Sequence, residues 1–65
     1  MEKDIIVKKS TELIAKYLGE ITAGMYKEHF MTLDEQKIIP ILEELLLEVI
    51  GPDNAKKQIE SLLKL

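Results

Sequence analysis

Apolar residues return every three or four positions from Ile6 to Leu63, and three short interruptions divide the pattern: Gly19, the run Thr32-Leu33-Asp34-Glu35, and Gly51-Pro52. That spacing belongs to helices buried along one face, and no segment shows the strict alternation or the β-branched and aromatic enrichment of a strand. The expected fold class is therefore all-α, a small bundle of three to four short helices. With 65 residues there is room for one core, so residues 1–65 are read as a single helical domain.

The first helix is expected over residues 3–18. Ile6, Val7, Leu13, Ile14, Tyr17 and Leu18 share its inward arc, and Lys8, Lys9, Glu12 and Lys16 lie opposite. Gly19 closes it, because glycine takes the left-handed backbone that ends a helix. A second helix over Glu20–Met31 has an inward arc that takes in Ile21, Thr22, Ala23, Met25, Tyr26, His29 and Phe30, which places His29 buried and neutral. Thr32 and Glu35 have the spacing of a capping box, so a third helix starts at Thr32 and runs to Ile50, kinked or restarted near Ile39 by Pro40. Leu42, Leu45, Leu46, Val49 and Ile50 form its buried face. Asp53 is placed to cap a fourth helix with a stripe of Ala55, Ile59, Leu62 and Leu63. Short connections make consecutive helices neighbours, and no internal repeat or linker stands out.

A core this small barely offsets chain entropy, and small domains add disulfides, a structural metal or association. The chain has no cysteine and one histidine, which leaves association with a second copy or with another protein. All nine basic residues are lysines and the net charge is −3. Without arginine forks or a basic surplus, nucleic acid is not an expected partner. The amino terminus carries charges of both signs before three apolar residues, unlike a signal peptide. Ile38–Ile50 is broken by Pro40 and carries Glu43, Glu44 and Glu48, so it cannot span a bilayer. The expected compartment is the cytoplasm, with no membrane partner.

Catalysis is not expected. His29 is the one candidate base, and Ser10 and Ser61 stand in no turn that would expose a nucleophile. No glutamate precedes His29 by three residues, and the glycines are isolated, so neither a metal nor a phosphate-bearing cofactor nor a small-molecule substrate is read here. The candidate contact residues are instead Leu47, which points away from the buried face of its helix among Glu43 and Glu44, and Ile5, which projects off the arc of the first helix.

The order Glu12-Leu13-Ile14-Ala15-Lys16-Tyr17-Leu18-Gly19-Glu20-Ile21-Thr22-Ala23, an acidic leucine helix and then Ile50-Gly51-Pro52-Asp53 resembles a short helical domain appended to bacterial signalling proteins such as serine/threonine kinases and other multidomain regulators. Glu20 stands where that domain has proline. The resemblance implies docking or self-association within a signalling assembly, and no catalytic residues. The expected function is a non-enzymatic protein–protein interaction module, self-associating, in a cytoplasmic signalling or regulatory assembly. The alternative is a small transcriptional regulator contacting DNA or a polymerase subunit through Asn54, Lys56, Lys57, Gln58 and Lys64.

Overall fold

A computed structural model describes residues 2–64. Four helices account for nearly all of them: α1 Lys3–Leu18, α2 Glu20–Met31, α3 Glu35–Ile50 and α4 Pro52–Leu63, with no strand among the described residues. α1 and α3 end where their apolar periodicity breaks. Gly19 and Gly51 have φ of 91° and 85° with ψ of 166° and 165°, a region that only glycine enters without strain. Each glycine closes one helix and opens the next, so each joint is one residue long.

Three expected boundaries shift. Thr32 does not open α3; its backbone remains helical, at φ −90° and ψ −8°, and both its hydroxyl and its N–H donate to the His29 carbonyl. Asp34 has the extended conformation that an N-cap requires, so α3 begins at Glu35. Asp53 lies in the first turn of α4, since Gly51 is the N-cap and Pro52 the first helical residue. Pro40 neither ends nor restarts α3. It is exposed, near the start of the helix, where the carbonyl it leaves without an N–H partner, that of Gln36, can be served by water.

Packing is densest within the α1–α2 and α3–α4 hairpins, and the hairpins join through α1 against α3 and α4. The consecutive helices α2 and α3 barely touch, contrary to expectation. One core nonetheless draws on every helix, with Ile14, Phe30, Ile38 and Leu42 fully enclosed at its centre. The radius of gyration is 10.6 Å. A chain of this length in one compact body should show about 11 Å, so the hairpins fold onto each other.

The two hairpins are one plan used twice, a repeat that the residues did not announce. Both have a first helix of 16 residues, a glycine, and a second helix of 12. The second copy starts 32 positions after the first, at Glu35 against Lys3, and Gly51 stands at the same offset from Gly19. Buried positions coincide: Ile6 with Ile38, Ser10 with Leu42, Ile14 with Leu46, Ala23 with Ala55, Phe30 with Leu62.

Candidate functional site

α2 packs chiefly against α1, so one stripe suffices to hold it. Ala23 and Phe30 supply that stripe and are buried. The wide inward arc is corrected accordingly: Thr22 and Tyr26 are half-buried, while Ile21, Met25 and His29 face solvent. Ile21 is 86% exposed and Met25 68%. They sit opposite the buried stripe, one turn apart, and Gly24 between them meets nothing within 4 Å of where a Cβ would stand. Leu18 and Leu63, expected in the core arcs, are also exposed, as is Val49.

The exposed side of α2 runs into a shallow groove against α3. Tyr26 is its pivot, its ring packed at 5.8 Å on Phe30, which fixes it from the core side. Met25, Tyr26 and His29 line a concavity of about 250 Å³. Tyr26 also lines the adjoining one, of about 190 Å³, with Ile41, Glu44, Leu45 and Glu48 from α3. The two meet at Tyr26, the Met25 and His29 side largely apolar and the α3 side bordered by Glu44 and Glu48.

The repeat builds the same groove a second time. Between α1 and α4 the lining residues are Lys9, Glu12, Leu13 and Lys16 against Gln58, Ser61 and Leu62. At the 32-residue offset these are the counterparts of Ile41, Glu44, Leu45 and Glu48 against Tyr26, His29 and Phe30. Both grooves mix apolar and polar side chains and differ in charge: Lys9 and Lys16 border one, where the other has Ile41 and Glu48.

The expected contact residues divide among different places. Glu44 is on the α2–α3 groove. Glu43 and Leu47 line a separate concavity with Pro52, Ala55 and Lys56, and Leu47 is 46% exposed. Ile5, 37% exposed, is in the first turn of α1 and outside that concavity. Of the residues proposed for DNA contact, Asn54 donates its side-chain N–H to the Ile50 carbonyl at 3.2 Å, and Gln58 is half-buried in the α1–α4 groove. Ser10 is wholly enclosed and out of reach of any dissolved substrate. Among the described residues no three His, Asp or Glu side chains converge on a metal position, and no helix is long and apolar enough to cross a membrane.

Ile21 and Met25 fall at one edge of the wide arc read for α2, so their exposure was not legible from the sequence. Compared with known proteins, the chain matches no family model, no curated protein and no solved structure.

Proposed function

We propose that the chain is a non-enzymatic protein–protein interaction module in a cytoplasmic regulatory or signalling assembly, and that it works through the exposed face of α2 and its groove with α3. The observation that carries this reading is the contrast between equivalent positions. Ile21 and Met25 are held in water on α2, where α4 has Asp53 and Lys57. Clustered apolar side chains that the fold has no use for mark a contact surface. The placement in a signalling assembly rests on the order of helix breaks and its resemblance to the appended bacterial domains.

The test is a comparison of proteins that co-purify from native cells with the wild-type chain and with the double variant Ile21→Asp, Met25→Lys. Loss of a defined subset with the variant supports the module. An unchanged set sinks it. Self-association through Leu47 and DNA contact through the lysines of α4 are the competing readings. Sedimentation equilibrium over a broad concentration range and a low-salt titration with duplex DNA separate them.

A further inference from the structure

The α1–α4 groove shows what this fold needs at such positions when they meet water, because lysine, glutamine and serine serve there. Core packing uses Tyr26 and Ile41 only in part, since both are half-buried, and makes no use of Met25 or Ile21, where the second copy has Lys57 and Asp53. We propose that the α2–α3 groove seats an amphipathic helix of another protein, apolar along one face and rich in lysine or arginine along its margins. This rests on the interaction-module reading and adds the chemistry of the partner.

Shape supports a helix. A shallow trough between two helices that barely touch accepts a third lying along it, with its apolar residues at every third or fourth position over Tyr26, Ile41 and Leu45. Charge selects the kind of helix. Glu44 and Glu48 line the α3 side, and both are exposed. Lys37 is the one opposing charge on this flank of α3, a turn before Ile41 and at the end of the trough. The chain's net charge of −3 favours approach of a cationic partner from a distance. A second copy is the poorer occupant. In a two-fold contact it would set hollow against hollow and glutamate against glutamate, and its lysine-bearing counterpart face is a hollow as well.

The experiment uses the whole 65-residue chain. The probe is a labelled synthetic helix of about 18 residues, five turns, with leucines along one face and lysines beside them. A twin with glutamate in place of each lysine is the control. Amide shift mapping should place the lysine peptide over Met25, Tyr26, Ile41 and Leu45. The dissociation constant should rise at least about tenfold in Ile21→Asp, Met25→Lys, and by a similar factor in Glu44→Lys, Glu48→Lys. The first variant copies residues that α4 already carries at the same positions, and the second changes only exposed side chains, so both should keep the wild-type helical signal. Absence of binding, equal binding of the glutamate twin, shifts centred on the α1–α4 groove, or a wild type whose groove amides move with its own concentration would each overturn the proposal. If the lysine peptide fails while Ile21→Asp, Met25→Lys still loses its co-purifying proteins, only the partner chemistry falls. If those proteins also remain, the module reading falls with it.

Discussion

The Lys3 ammonium donates a hydrogen bond of 2.7 Å to the backbone carbonyl of Met31, 28 residues further along, and so ties the start of α1 to the end of α2. A cation at a helix carboxyl end meets the negative pole of the dipole and one of the carbonyls that the helix leaves free. Lys3→Met keeps most of the aliphatic stem and removes the charge. It should lower stability by about 0.3–1 kcal/mol at low ionic strength. The bond is exposed, so the difference should shrink in salt near 1 M, where screening acts over about 3 Å. Urea unfolding at two salt concentrations measures both.

Alanine should act with opposite signs at the three glycines. At Gly19 and Gly51 the positive φ is the obstacle, since nothing lies within 4 Å of a Cβ at either position. Each substitution there should cost about 1–3 kcal/mol in backbone strain. Gly24 has ordinary helical backbone and open space, and Gly24→Ala should stabilise by about 1 kcal/mol. Thermal midpoints of the three variants decide, and a loss at Gly24 would mean its space is used within the chain.

Ser10 is fully buried, and its hydroxyl has no hydrogen-bond partner among the described residues. A buried hydroxyl without a partner carries a desolvation penalty of about 1–3 kcal/mol, and alanine is also the better helix former. Ser10→Ala should therefore raise stability by about 1 kcal/mol, which in a domain this small moves the midpoint by about 4–8 °C. A fall in the midpoint would show that the hydroxyl is satisfied after all.

Pro40 withholds an N–H from the Gln36 carbonyl inside a continuous helix. Replacement by alanine restores that bond on the exposed side of α3. Pro40→Ala should stabilise the protein by about 1–3 kcal/mol, and hydrogen exchange should detect a newly protected amide at position 40.

The two helix boundaries set by glycine were legible from the sequence because the residue and the backbone it permits are nearly synonymous. The start of α3 was not. Thr32 and Glu35 have capping-box spacing, yet the threonine hydroxyl can equally turn back to the carbonyl behind it, as it does with His29. The face of α2 was hidden for a different reason. Seven residues from Ile21 to Phe30 spread over more than half the wheel, and only the peripheral place of α2 shows that Ala23 and Phe30 point inward and His29 does not. The repeat escaped notice because its core pairs are mostly substitutions, such as Phe30 for Leu62 and Ser10 for Leu42, rather than identities. Glu44 is the one expected contact residue on the α2–α3 groove, and Leu47 belongs to a different part of the surface.

Two hairpins of one plan joined by three residues also set a problem of pairing as the chain collapses. Most native contacts form between neighbours in sequence, so each hairpin should assemble quickly and by itself. Once formed, each presents a similar buried side, and a hairpin from a second chain could take the place of its twin. The pair differs in kind where Lys27 on α2 is exposed and its counterpart on α4, Ile59, is buried. Lys27→Ile would erase that distinction, and at high protein concentration the refolded material should contain hairpin-exchanged dimers that the wild type forms more sparingly.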